Sequence, residues 1–172
     1  MKRVLGFALG LAATLSLGAC GFHPLYAVGT TPEGVSTYMT QVFIEPIPGR
    51  QGVHLRNQLM DAFTPEGTPS AAAYRLAIKL EDVKEGLAIQ ENTQITRYNY
   101  SLIAKYELRD AVSGEVLDHG TTRAIAAYNV VDSQFATQSA ERDAQDRAAR
   151  EVGEDIRLRL GLYFENRFGS KT

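Results

Sequence analysis

Residues 96–109 read TRYNYSLIAKYELR. Tyr98, Tyr100, Leu102, Ala104, Tyr106 and Leu108 hold the even positions, and Arg97, Asn99, Ser101, Ile103, Lys105, Glu107 and Arg109 the odd ones. Side chains of an extended chain point alternately to its two faces, so this alternation predicts a β-strand with one face buried. At ~3.3 Å per residue the run spans about 45 Å, well beyond an ordinary strand. The stretch YRLAIKL at residues 74–80 repeats the pattern, with Tyr74, Leu76, Ile78 and Leu80 against Arg75, Ala77 and Lys79. A hairpin turning at Glu91-Asn92-Thr93 then sets Leu80 against Ala104, Ile78 against Tyr106 and Leu76 against Leu108. Apolar meets apolar at each pair, which makes this register self-consistent. Between Glu81 and Leu87 the parity slips, because Val83, Leu87 and Ile89 are odd. Gly86 is the expected site of a bulge that restores the pairing.

Working outward, Gln41 to Glu45 is a first strand, ended by Pro46 and Pro48. A helix follows from about Gly52 to Phe63, where Leu55, Leu59 and Phe63 recur every four residues, and Pro65-Glu66-Gly67 breaks it. Beyond the long strands, Asp110 to Gly114 is a turn and Glu115 to Val130 a fourth strand. Arg123, Ile125 and Tyr128 do not obey one alternation there, so its register stays open. The last element is a helix from about Gln134 to Tyr163, with Asp132 or Ser133 as N-cap. Ala136, Ala140, Ala144, Ala148, Val152, Ile156 and Leu160 step by four. Each step overshoots a turn by ~40°, so the row drifts around the helix, and Gly153 is placed to let the helix bend and keep contact. The expected fold is α+β: a four-stranded, mostly antiparallel sheet with two helices packed on one face.

Ahead of this body, Lys2 and Arg3, the apolar run Val4 to Leu17 and the small residues before Cys20 read as a signal peptide over residues 1–19. The apolar run is shorter than the ~20 residues a spanning helix needs. Leu17-Gly18-Ala19-Cys20 has the lipobox form, so signal peptidase II is expected to cut between Ala19 and Cys20 and the Cys20 thiol to carry diacylglycerol. Residues 20–39, with Pro24, Pro32 and scattered Gly, Ser and Thr, form the lipidated N-terminus and a flexible tether. Phe22, Leu25 and Tyr26 are too apolar for a pure linker. The folded domain is expected over 40–168, with a tail at 169–172. Gly21, where an Asp would favour retention in the inner membrane, favours the outer membrane.

Without its leader the chain has 16 Lys and Arg against 20 Asp and Glu. That balance leaves no basic field for nucleic acid. Cys20 is the single cysteine, so no intrachain disulfide forms and packing must hold the fold. His23, His54 and His119 are scattered without metal-ligand spacing, and there is no nucleophile elbow or phosphate-cradling glycine loop. Glu81-Asp82 and Glu154-Asp155 are adjacent, so their side chains point apart. Nothing in the sequence argues for an enzyme or a cofactor beyond the lipid on Cys20. In the expected register Arg75 stands opposite Arg109 and Lys79 opposite Lys105, an unfavourable arrangement. Either a phosphate-bearing ligand or acidic partner neutralises them, or Glu81, Glu107 and solvent do. Arg75, Lys79, Arg97, Lys105 and Arg109 are therefore the candidate ligand-binding residues.

Cys20-Gly21-Phe22-His23-Pro24-Leu25-Tyr26 resembles the start of mature LptE, the lipoprotein of lipopolysaccharide export, in its alphaproteobacterial form. Leu55-Arg56-Asn57-Gln58-Leu59 is similar to the family's first-helix motif, and the order of elements is similar across the whole mature chain. The resemblance implies an outer-membrane lipoprotein on the periplasmic side. It would plug an LptD-like β-barrel, assist the barrel's assembly and help insert lipopolysaccharide into the outer leaflet. Known members touch lipopolysaccharide through basic residues near the middle hairpin tip and the start of the last helix. Here those places hold Gln90-Glu91-Asn92-Thr93 and Ala136-Thr137-Gln138, and the nearest basic residue is Arg97. The competing readings are an auxiliary lipoprotein of an ABC-type lipid transporter and a cell-wall enzyme, the latter lacking a catalytic constellation.

Overall fold

The computed structural model describes residues 37–65, 67–69, 71–89 and 95–168. Within them the elements run β1 (Val42–Ile44), α1 (Gly49–Phe63), β2 (Tyr74–Ile89), β3 (Ile95–Asp110), β4 (Val116–Asn129) and α2 (Gln134–Phe168). The four strands form one sheet in the order β1-β2-β3-β4, an α+β architecture. The first pairing is parallel and the other two antiparallel.

The β2–β3 register is the expected one, with Leu76 across from Leu108, Ile78 from Tyr106 and Leu80 from Ala104. The register shifts fall between Gly86 and Ala88 and between Ala88 and Ile89, so the irregularity follows Gly86 and skips Leu87. The proposed turn at Glu91-Asn92-Thr93 lies outside the described residues, as do Ala19, Cys20 and most of the tether. The second turn holds: the Asp110 carboxylate accepts from the backbone N–H groups of Val112 (2.9 Å) and Ser113 (2.7 Å), and Gly114 takes φ +74°. Those donors stabilise the ionised form and lower the Asp110 pKa.

The register of β4, open in the sequence, pairs Tyr98 with Tyr128, Leu102 with Ala124 and Leu108 with Asp118, with a shift next to Arg109. Even residues of β4 face the helices: Thr122, Ala124, Ala126 and Tyr128 are buried. Tyr128 therefore keeps step. The pattern looked broken because Ile125, an apolar residue, points the other way and is 49% exposed.

Both helices cover the even face. α1 begins at Gly49, three residues earlier than its periodicity suggested, and buries Gly52, Leu55, Leu59 and Phe63. Arg56 Nε donates to the Ile44 carbonyl (3.1 Å), tying α1 back to β1. The last helix runs five residues past the expected end at Tyr163. Phe164 and Phe168 extend it into an aromatic cluster, where Tyr38 stacks on Phe168 with centroids 4.1 Å apart and Tyr74 leans on Phe164 at 5.1 Å. Tyr38 and Met39, assigned above to the tether, pack against the core. Ser133 is the N-cap, its hydroxyl accepting from the Ala136 N–H at 3.3 Å.

The every-fourth row of α2 needs correction at its N-terminal end. Ala136 is exposed and Ala140 only partly buried, while Ala144, Ala148, Val152, Ile156 and Leu160 are joined by Ala149, Gly153, Gly161 and Phe164. The ~40° drift per step takes the start of the row off the sheet, while Gly153, beside the row, lies against α1 and widens the buried stripe. A Cβ at Gly153 would sit 2.8 Å from Gln58 Nε2. Its place is explained by close helix approach instead of by a bend.

Candidate functional site

Since α1 and α2 seal the even face, the odd face of the sheet is open. Cross-strand rows read directly from the pairing. Val83, Ser101 and Ile125 form one row, Glu81, Ile103 and Arg123 the next, then Lys79, Lys105 and Thr121, then Ala77, Glu107 and His119, with Arg75 and Arg109 beyond. Four of the five candidate cations, Arg75, Lys79, Lys105 and Arg109, come together as expected. Arg97 lies eight residues up β3 from Lys105, about 26 Å away at strand rise, and its guanidinium reaches Asn129 Oδ1 at 3.5 Å.

The like-charge pairs are offset from within the chain. Arg75 Nε is 3.1 Å from Glu45 Oε1 and its guanidinium lies over the Phe43 ring at 5.5 Å. Lys105 Nζ is 2.6 Å from Glu81 Oε1, and Arg109 pairs with Glu107. The Arg109 hydrogen bonds and charge lower the Glu107 pKa, with further help from Lys79 and His119. Arg123, which composition alone did not single out, reaches across the ladder to Ser101 Oγ (2.9 Å), a nearly buried hydroxyl. Between these polar rows Val83 and Ile125 stand exposed, giving the face a narrow apolar band. A mosaic of matched charges around a small apolar band suits broad contact with a polar surface better than capture of one small anion.

A second group was also missed. Lys84, an even residue of β2, sits on the helix side with its ammonium 4.7 Å from the Tyr98 ring centre, 5.4 Å from that of Tyr128 and 3.1 Å from Glu141 on α2. The apolar parity slips in the sequence between Glu81 and Leu87 and so did not place Lys84; the register in fact holds to Gly86, setting Lys84 across from Tyr100 on the covered face. Only the length of α2 determines that Glu141 meets it there.

Among the described residues no cluster of His, Cys, Asp or Glu is arranged to hold a metal ion. No described helix is long and apolar enough to cross a membrane.

Comparison with known proteins converges on this architecture. An uncharacterized protein of Rickettsia prowazekii (strain Madrid E) is 25% identical over 123 residues, 72% of this chain and 76% of its own. A solved putative lipoprotein from Caulobacter crescentus CB15 superposes with a TM-score of 0.67 at 26% identity, covering 80% of this chain and 99% of that one. Rare lipoprotein B of Shewanella oneidensis shares the fold, with a TM-score of 0.56 at 9% identity over 75% of this chain and 98% of that one. The family model described as LptE, lipopolysaccharide-assembly, matches residues 39–160. That match runs from the docked turn before β1 to the core-filling Leu160 of α2, and by it this chain belongs to the LptE lipopolysaccharide-assembly family.

Proposed function

We propose that the protein is an outer-membrane lipoprotein, anchored on the periplasmic side through acyl chains on Cys20. It partners and plugs an LptD-like β-barrel, assists that barrel's assembly and helps insert lipopolysaccharide into the outer leaflet. Its role is non-catalytic. Each buried CH₂ contributes roughly 0.8 kcal/mol to such an anchor, so two or three chains hold it durably.

The observation that carries the reading is the two-sided sheet of an LptE-family chain. One face is sealed by α1 and α2, while the other is broad and polar, with Arg75, Lys105 and Arg109 each matched to a carboxylate from within the chain. The interior wall of a transmembrane barrel is polar. With Arg75, Lys105 and Arg109 already paired, most of the face enters such a lumen at little electrostatic cost, whereas an unmatched buried cation would carry a desolvation cost of several kcal/mol. Lys79 is left to meet a group on the wall. Length supports the same use. The 35 residues of α2 extend about 52 Å at ~1.5 Å each, more than the ~30 Å of the hydrocarbon layer a barrel crosses. In this reading Arg75, Lys79, Arg97, Lys105 and Arg109 are contacts to the barrel wall and to lipopolysaccharide phosphates.

Depletion of the chain in its native cells tests the proposal. The folded, heat-modifiable fraction of the LptD-like barrel and the lipopolysaccharide reaching the surface are expected to fall together. Normal barrel folding with arrest of an ABC-type lipid route would replace this reading with that of an auxiliary lipoprotein of a different transporter.

A further inference from the structure

The sheet has two edges, and they are treated differently. At the β4 edge the Val130 N–H bonds the Thr96 carbonyl of β3, so even residues of β4 turn their backbone groups inward and odd residues turn theirs outward. Ala127 is odd. Its outward carbonyl accepts from Arg147 Nη2 (3.0 Å), an arginine of α2 that Asp143 holds in place. A long side chain from the covering helix thus reaches over this edge and caps it at Ala127.

At the β2 edge the Tyr74 N–H bonds the Gln41 carbonyl, and the Leu76 carbonyl accepts from the Glu45 N–H. Even residues of β2 therefore face the edge. β1 occupies only the stretch opposite Tyr74 to Leu76. From Leu80 to Gly86 the outward N–H and C=O groups have no strand partner among the described residues. Every residue from Glu81 to Leu87 is exposed. Apart from Lys84, which Glu141 of α2 holds on the helix side, this half-strand is uncovered and open along its edge, yet it keeps regular pairing with β3 as far as Gly86. An edge of this kind is a template for strand addition.

We propose that an extended, basic segment of the barrel partner adds to β2 along Leu80 to Gly86, continuing the line that β1 begins; this rests on the barrel partnership proposed above. The charges select the occupant. Glu81-Asp82-Val83-Lys84-Glu85 carries three carboxylates against one ammonium. Glu81 is held by Lys105 and Lys84 by Glu141, while Asp82 and Glu85 carry no ion pair among the described residues. They lie on opposite sheet faces, so an added strand with Lys or Arg at neighbouring positions meets both. A second copy fits worse. Antiparallel self-pairing about Val83 sets Glu81 against Glu85 twice, and the two Asp82–Lys84 matches it also makes draw on an ammonium that Glu141 already holds.

The side-chain parity also provides the test. Asp82 points its N–H outward, so Asp82→Pro removes an edge donor while sparing the β3 ladder, a substitution that edge strands tolerate. In the full-length lipoprotein, a benzophenone amino acid at Val83 is expected to cross-link to the barrel. The adduct should map to an extended Lys- or Arg-bearing segment. Asp82→Pro, and separately Glu85→Lys, should cut that adduct at least tenfold while far-UV circular dichroism and the melting temperature stay near wild type. Where Asp82→Pro lowers the melting temperature, Glu85→Lys supplies the same readout without touching the backbone. An adduct with a second copy, an adduct on a helical or acidic segment, or equal yields from the variants would each overturn the inference. If the barrel still co-purifies in those cases, the partnership stands and the edge assignment alone fails. If the barrel never co-purifies, the underlying reading fails first.

Discussion

Gly120 stands directly across the ladder from Tyr106 on the covered face, and a Cβ there would lie 2.7–2.8 Å from the phenol oxygen and ring carbons. The Tyr106 ring is buried and cannot swing clear, so Gly120→Ala is expected to destabilise the fold by about 1–3 kcal/mol. Thermal unfolding checks it, and the cost should shrink in a Tyr106→Leu background. The alternation of β3 revealed that Tyr106 is inside, but not that its neighbour must be glycine, because that depends on where the ring comes to rest. Tyr100 makes a second case. Burial holds its phenol neutral and raises its pKa from 10.0 to about 12. Between those values the unfolded chain loses this proton while the folded chain keeps it. The tyrosine's contribution is therefore full below pH 10 and falls as pH rises toward 12. Denaturant midpoints measured across that window should drop less steeply in Tyr100→Phe than in the parent.

For whole elements, the sequence revealed the long hairpin best. A strict period of two over so many residues admits one register that sets Leu76, Ile78 and Leu80 against Leu108, Tyr106 and Ala104, and β2 and β3 adopt it, leaving Val83 and Leu87 exposed where the parity slips. β4 was harder because its apolar residues lie on both faces, Ile125 toward solvent and Ala124 and Ala126 toward α2. Helix α2 was legible in kind but not in detail. A ladder of alanines every fourth residue cannot reveal where a straight helix departs from the sheet, and the departure leaves Ala136 exposed while Ala148 is fully buried. Ala148→Leu should therefore cost about 1–3 kcal/mol by overpacking. Ala136→Leu should stay within about 0.5 kcal/mol, as surface changes do. Equal effects in chemical denaturation would contradict this placement. The tie from Lys84 to Glu141 belongs to the same scale. It is half exposed and contributes no more than about 1 kcal/mol, so Glu141→Gln should barely move the midpoint.

Taken as a whole molecule, the chain separates two tasks. One sheet face and both helices make the core, and the other face and most of the β2 edge are left uncovered among the described residues, where the barrel partner is proposed to sit. Four of the candidate cations were placed by register alone, because pairing rules set Arg75 across from Arg109 and Lys79 across from Lys105 before any side chain is seen; Arg97 stands apart. Their carboxylate partners were only partly foreseeable. Glu81 and Glu107 follow from the ladder, but Glu45 reaches Arg75 only because β1 lies parallel beside β2. That pairing joins positions 32 apart in the chain, such as Phe43 and Arg75, which local patterning does not encode. The lipobox and the motif around Cys20 carry the anchoring proposal, and the packed domain carries the family. The two meet in one measurement: purification of the full-length, lipidated chain from native membranes in mild detergent, with identification of what accompanies it. The account predicts one large outer-membrane β-barrel in near-equal amount, retained when the salt concentration is raised. Recovery of an ATPase complex, or of the chain alone, would contradict it.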